Sequence, residues 1–301
     1  MSVISRMSQD LGLDPQYLRN IARRNNLYKQ YYIPKGKGKR LILQPSRELK
    51  VIQYWMCKNV FEDFPISEYC SAYEKGCSIK RNALLHSKNS NILHMDIKDF
   101  FPSITRKMLI ELFRNNSNII QEKSLSLNDI EYILDVVLYN GEKLVIGSVA
   151  SPVISNRIMY NFDKDLSGVL KEDGKYIYTR YADDIVISSS RFIELNIVEN
   201  IKKIIEEHGF LSNDEKIYFM NRSSKRQVTG VVLDNNSNCV GIGTERYRKI
   251  KSSIYKYCVK KEGNIEEIRG NLAFVKSINE KQYLQLKEIY IRYDKDKELF
   301  N

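Results

Sequence analysis

The order of apolar patterns along this 301-residue chain predicts an α+β fold. Strand patterns come in hairpin pairs or stand alone between blocks of helix, and do not alternate one for one with helices, which disfavours a doubly wound parallel sheet. A hydrophobic content of 43% with a mean hydropathy of −0.42 fits a water-soluble globular chain. The length supports a substantial core, either in one multi-lobed enzyme or in two domains.

Residues 1–27 read as helical, with cap chemistry in Ser8-Gln9-Asp10-Leu11 and with Leu13, Tyr17 and Ile21 at helical spacing. Tyr31-Tyr32-Ile33-Pro34 and Arg40-Leu41-Ile42-Leu43 flank Lys35-Gly36-Lys37-Gly38-Lys39, two strands joined by a basic, flexible hairpin that could fold over a triphosphate. Leu49, Ile52, Trp55, Met56 and Val60 mark a buried helix. A buried strand ends at Asp96, a helix resumes around residues 106–113, and another opens at Asn128-Asp129-Ile130 with Ile133, Val136 and Val137 inward. Helices follow over 151–170 and 191–208, on either side of a strand hairpin. Gly241-Ile242-Gly243-Thr244 is a turn and cap before a helix with Tyr247, Ile250, Ile254 and Tyr257 inward, and a helical tail runs to Asn301.

Two motifs carry chemistry. In Arg180-Tyr181-Ala182-Asp183-Asp184-Ile185-Val186-Ile187-Ser188, adjacent carboxylates precede an apolar β-branched run. Like charges repel and burial disfavours both, a cost that a hard divalent cation with oxygen ligands relieves. In Asn91-Ile92-Leu93-His94-Met95-Asp96-Ile97-Lys98-Asp99-Phe100-Phe101-Pro102, a strand-end Asp precedes a turn and an aromatic pair. A strand-end Asp and a hairpin Asp pair can converge on two metal ions roughly 3.5–4 Å apart, the arrangement that clamps an in-line phosphoryl displacement.

Charge points the same way. The formal net charge is +11, and residues 1–50 hold eleven Lys/Arg against three Asp/Glu, an excess of +8. That asymmetry fits a nucleic-acid surface, where neutralised phosphates release counterions, and twenty Tyr offer stacking candidates for single-stranded bases. The five Cys form no Cys-x-x-Cys pair and no zinc spacing, which together with Arg6 and Asp10 in the amino-terminal stretch argues for reduced thiols, no signal peptide and a cytoplasmic location. No apolar run approaches the roughly 18 residues of a membrane span.

These motifs together resemble the reverse transcriptases, specifically the bacterial retron type. Residues 180–184 match the family's catalytic hairpin, residues 96–104 its first catalytic motif, and Arg40-Leu41-Ile42-Leu43-Gln44-Pro45 with Leu49-Lys50-Val51-Ile52-Gln53 its fingers motif. Asn82-Ala83-Leu84-Leu85-His86 has the retron pattern Asn-Ala-x-x-His, and Val228-Thr229-Gly230 its Val-Thr-Gly. The resemblance covers about residues 30 to 275 and implies a right-hand polymerase fold: N-terminal helices and fingers over 1–90, palm over 91–105, a helical insertion over 106–143, palm over 144–235 and a helical thumb over 236–301.

The resemblance also implies roles. Asp96, Asp183 and Asp184, with Ile97, would hold two Mg2+ ions, for which Mn2+ can substitute. Lys216 would protonate the leaving pyrophosphate. Lys39 and Arg40 would meet the triphosphate, and Phe101 would exclude a ribose 2′-OH. Asn82, His86, Val228, Thr229 and Gly230, with Arg246, Lys249 and Lys256 on the thumb, would contact RNA. In Leu144-Val145-Ile146-Gly147-Ser148-Val149-Ala150-Ser151-Pro152 the chain departs from the family, because Ile146 stands where most members have the Gln that contacts nucleotide and template. Ile146 and Gly147 remain nucleotide-site candidates, with reduced fidelity or altered nucleotide affinity as the expectation. The implied product is branched multicopy single-stranded DNA (msDNA), made from dNTPs, primed from a guanosine 2′-hydroxyl of a cognate noncoding RNA and serving antiphage defence with a separate effector protein. The alternatives are a group II intron or diversity-generating reverse transcriptase, and an RNA-binding scaffold with little polymerase activity.

Overall fold

The computed structural model describes all residues except 23, 25, 37, 173, 174, 295–298 and 301, and the backbone alone of 172. Lys37 of the predicted basic hairpin therefore lies outside the described residues.

Two short helices open the chain, α1 (Val3–Leu11) and α2 (Pro15–Ile21). The helical stretch read over 1–27 is broken at Gly12, whose φ of 64° is left-handed backbone that glycine adopts without a Cβ clash. The caps are also not the predicted ones. Ser2 accepts from the Ser5 N–H and Asp14 from the Tyr17 N–H, with Pro15 at the first helical position.

The expected hairpin follows as β1 (Tyr28–Lys35) and β2 (Gly38–Pro45), paired antiparallel. Helix α3 (Arg47–Met56), capped by Ser46, continues into a π turn (Cys57–Phe61), and together they bury the predicted Leu49, Ile52, Trp55, Met56 and Val60. Next come α4 (Ile79–His86), β3 (Asn91–Asp96), α5 (Phe100–Ser103), α6 (Arg106–Asn115), α7 (Ser117–Glu122) and α8 (Leu127–Val137). Helix α9 (Ala150–Glu172) leads to the hairpin β4 (Ile177–Tyr181) and β5 (Asp184–Ser189), then α10 (Leu195–Glu207). Helix α10 starts four residues later than the 191 expected, because Glu194 is still extended at φ −73°, ψ 150°. Strands β6 (Tyr218–Asn221), β7 (Arg226–Val228), β8 (Val231–Leu233) and β9 (Val240–Gly241) precede α11 (Thr244–Tyr255), a second π turn (Lys256–Lys260), α12 (Ile265–Ile278) and α13 (Glu280–Tyr290).

The central sheet is antiparallel throughout, in the order β4-β5-β3-β6. Side chains alternate across it. Leu93, Met95, Ile185 and Ile187 face the large core built from α1–α3 and α5–α10, while Ile92 and Val186 face a smaller core shared with α4, β7–β9 and α11–α13. Each face of the sheet therefore anchors one lobe. Asp96 and Asp184 pair directly in the register, so both project from the face that carries Val186, at the end of the strands where the smaller core stops. Among the described residues no helix is long and apolar enough to cross a membrane.

Candidate active site

Asp96 ends β3, Asp184 begins β5, and Asp183 sits in the turn between β4 and β5, beside Ala182 at φ 56°. That left-handed residue turns the chain tightly enough to bring Asp183 over the strand ends, and its carboxylate joins the other two. One oxygen of each lies within 4.8 Å of the others. The Ile97 N–H donates to the Asp183 carbonyl at 3.0 Å and locks the turn onto β3. Asp96 is only 2% exposed. Burial, then the charges of Asp184 and Asp96, push the Asp183 carboxyl above its ordinary range. An all-oxygen donor set of three converging carboxylates fits hard divalent cations. Ile97 offers only its main chain to such an ion, since its side chain is buried in the core.

Lys216, in the 3-10 turn Asp214–Lys216, donates from Nζ to Asp96 Oδ2 at 2.5 Å, and Asn213 Nδ2 donates to Asp96 Oδ1 at 3.0 Å. His94, two residues before Asp96 on the same face of β3, lies 3.2 Å from Asp184 Oδ1 through Nε2 and 3.3 Å from the Lys216 carbonyl through Nδ1, and stacks on Tyr218 of β6. Burial opposes its protonation, but the hydrogen bond and charge of Asp184 outweigh it and leave the His94 pKa raised.

The hairpin is held from below. Arg180 is 0% exposed, and its guanidinium grips Asp163 of α9 with two bonds, Nε–Oδ1 at 2.7 Å and Nη2–Oδ2 at 2.8 Å. Its third nitrogen donates to the Ala182 carbonyl at 3.2 Å, and the Tyr178 hydroxyl donates to the same Asp163 at 2.6 Å. Tyr178 and Arg180, two apart on one strand, thus reach one buried carboxylate. Nothing in the sequence reading gave Asp163, His94 or Asn213 a role. For His94 the available signal was a polar residue at an inward position of an otherwise apolar strand, whereas Asp163 on α9 and Asn213 before the turn gave none.

Among the nucleotide candidates, the half-buried Phe101 stands beside Phe100, ring centroids 5.4 Å apart, while Phe100 packs on Phe210. The Ile146 carbonyl accepts from the Leu43 N–H at 2.8 Å, tying this loop to β2. Gly147 follows at φ 107°, and a Cβ there would stand 2.8 Å from the Leu43 carbonyl oxygen, so only glycine fits. Arg40 is half-buried and Lys39 exposed on β2, the strand that receives this loop.

The sequence compares with known proteins as this geometry leads one to expect. The family model described as "Reverse transcriptase (RNA-dependent DNA polymerase)" matches residues 33–233. The chain is 33% identical over 264 residues to the retron Ec86 reverse transcriptase of Escherichia coli, covering 86% of this chain and 79% of that one. It belongs to the retron-type reverse transcriptases. The retron Ec83 reverse transcriptase of Escherichia coli is 32% identical over 265 residues, covering 83% of each chain. The fold is similar to that of apo telomerase from Candida tropicalis, with a TM-score of 0.54 at 11% identity, over 88% of this chain and 57% of the telomerase. The telomerase is therefore the much longer chain, and the likeness concerns the fold alone. The architecture is a right-hand polymerase fold, and the enzyme is an RNA-directed DNA polymerase. Enzymes of this fold use divalent metal ions, and the Asp cluster fits them.

In this retron-type reverse transcriptase the Asn-Ala-x-x-His motif does not present its side chains to RNA. His86 and Asn82 are both 0% exposed. His86 is bonded to Ser188 Oγ at 2.7 Å and Thr179 Oγ1 at 2.8 Å, so it clamps α4 onto both strands of the catalytic hairpin, and burial pulls its pKa down to about 3. The expectation of direct side-chain contact with RNA is corrected for both, and likewise for Val228, which is buried in the smaller core. Thr229, at φ 47°, is half-buried and bonded to the Ile79 carbonyl, while Gly230 is exposed. Arg246, Lys249 and Lys256 are exposed along α11 and its π turn, as the spacing predicts.

Proposed function

We propose that this enzyme binds a cognate structured noncoding RNA, primes from a guanosine 2′-hydroxyl in it, and makes branched msDNA that serves antiphage defence with a separate effector protein. The observation that carries this reading is the intact Asp96–Asp183–Asp184 cluster, in a chain about a third identical to retron reverse transcriptases over most of its length. Fingers at 1–90, palm at 91–105 and 144–235, a helical insertion at 106–143 and a thumb at 236–301 divide the work. The cytoplasm is the proposed location, in keeping with five free cysteines.

Asp96, Asp183 and Asp184, with the main chain of Ile97, hold two Mg2+ ions, and Mn2+ suits the same oxygen ligands. Ions held by these carboxylates would supply Lewis-acid stabilisation of charge in phosphoryl transfer. Lys216, held at the site by Asp96, donates a proton to pyrophosphate. Lys39 and Arg40 neutralise the dNTP triphosphate from the hairpin above. The Phe101 ring excludes a ribose 2′-hydroxyl by clash. Thr229, Gly230, Arg246, Lys249 and Lys256 meet RNA, supported by a cavity of about 860 Å³ whose walls include Gly230, Arg246 and Lys249.

RNA-templated extension of a primer by the purified chain tests the polymerase part. Synthesis that stops with a chelator and returns with Mg2+ supports the reading, and synthesis that persists contradicts it. In the same assay Ile146→Gln is expected to lower misincorporation, because a polar contact restores a constraint on pairing geometry, and an unchanged error spectrum would remove Ile146 from that role.

A further inference from the structure

The segment before α4 holds an exposed aromatic residue in a costly conformation. Tyr73 has φ 63°, left-handed backbone that disfavours a bulky side chain and comes easily to glycine. Its neighbours hold it there. On one side the Ser71 N–H donates to the Arg180 carbonyl at 2.8 Å, and the Ala72 carbonyl accepts from Asn156 Nδ2 at 2.9 Å. On the other, the Glu74 carboxylate accepts from Asn156 Nδ2 at 2.9 Å and pairs with Arg157. Asn156, Arg157 and Arg180 are all buried. Yet the Tyr73 ring belongs to neither core. It is 48% exposed, with its centroid 6.1 Å from that of Tyr181, the residue that leads into the Ala182-Asp183 turn. Strain kept at a position that gains little from packing points to a functional constraint.

The sheet order says which part of the substrate lies there. Lys216 precedes β6 at one edge, whereas Tyr181 ends β4 at the other, with the Tyr73 segment bridged to β4 through Cys70 and Arg180. In phosphoryl transfer the attacking and leaving oxygens lie roughly in line, on opposite sides of the phosphorus. With Lys216 on the leaving-group side, which rests on the function proposed above, the Tyr181 flank is the side of the attacking primer hydroxyl. We propose that Tyr73 is a primer-binding residue, forming with Tyr181 an aromatic platform for the primer-terminal nucleoside.

The test is anisotropy of a labelled primer annealed to an RNA template, bound by the full chain without dNTP, for Tyr73→Gly and Tyr73→Phe. Tyr73→Gly relieves the backbone, so its Tm is expected to equal or exceed that of the parent, while its Kd for the annealed primer rises about tenfold as one stacking face is lost. Tyr73→Phe keeps the face and should bind within about twofold, the range of an ordinary surface change. The loss is expected for primers ending in a ribonucleotide or a deoxyribonucleotide alike, because stacking reads the base, and KM for dNTP should stay within about twofold. Primer affinity unchanged in Tyr73→Gly, or a lowered Tm, would overturn the proposal. The primer-affinity readout involves no chemistry, so failure of the active-site reading shows separately, as primer extension persisting in Asp183→Asn.

Discussion

Asp183→Asn is expected to reduce DNA synthesis by about 10³-fold or more while raising the thermal stability of the metal-free protein. The first half follows from removing one of three carboxylates that share the cluster. The second follows from the direction in which Asp183 titrates. Burial and two neighbouring carboxylates raise its folded pKa above its ordinary 3.8. A group shifted upward contributes stability that is fully present below its unfolded pKa and is lost as pH rises through the folded value. At neutral pH the ionised Asp183 therefore works against the fold, and a neutral amide of similar shape removes that burden. Divalent ions should reverse the comparison, stabilising the parent by an amount that grows with ion concentration and leaving the variant nearly unmoved. Thermal melts across pH, with and without Mg2+, read both effects. A variant that melts lower than the parent in chelator would contradict this account of the cluster.

Arg180→Met is expected to cost about 3–5 kcal/mol of stability, because it strands the fully buried Asp163 carboxylate without its partner. It also frees the Ala182 carbonyl and with it the turn that aims Asp183. The double change Arg180→Met with Asp163→Leu removes both charges together, and should lose less stability than Arg180→Met alone. Its synthesis rate should stay low, since the bond to Ala182 is still missing. Denaturant unfolding beside the extension rate separates the two consequences. Strictly additive losses would show that the pair is not the coupled unit described here.

The β4–β5 hairpin, the strand ending in Asp96, the β1–β2 hairpin and most helices could be read from the sequence, because each is a local pattern: an alternating or 3.6-residue apolar period bounded by turn or cap chemistry. What could not be read depends on contacts between distant segments. Arg180 finds Asp163 on another element, His94 finds Asp184 ninety positions along the chain, and His86 reaches Ser188 across 102. The retron motif was legible as a motif, but its Asn proved to be buried and its His bonded to the hairpin, since the same helical spacing serves an inward face as well as an outward one. The break at Gly12 was missed because a glycine can end a helix or continue it, and the left-handed Tyr73 because its backbone is set by flanking tertiary bonds that nothing in the residue type announces.

The central claim is that the Asp cluster of this retron-type enzyme makes DNA branched from its own RNA. The most direct test is to purify the chain from its native locus, beside Asp183→Asn, and examine the bound nucleic acid after RNase and debranching treatment. A discrete single-stranded DNA that shifts on debranching and is absent from the variant is the predicted result. Bound RNA without DNA in either sample, or unbranched heterogeneous DNA, would contradict it.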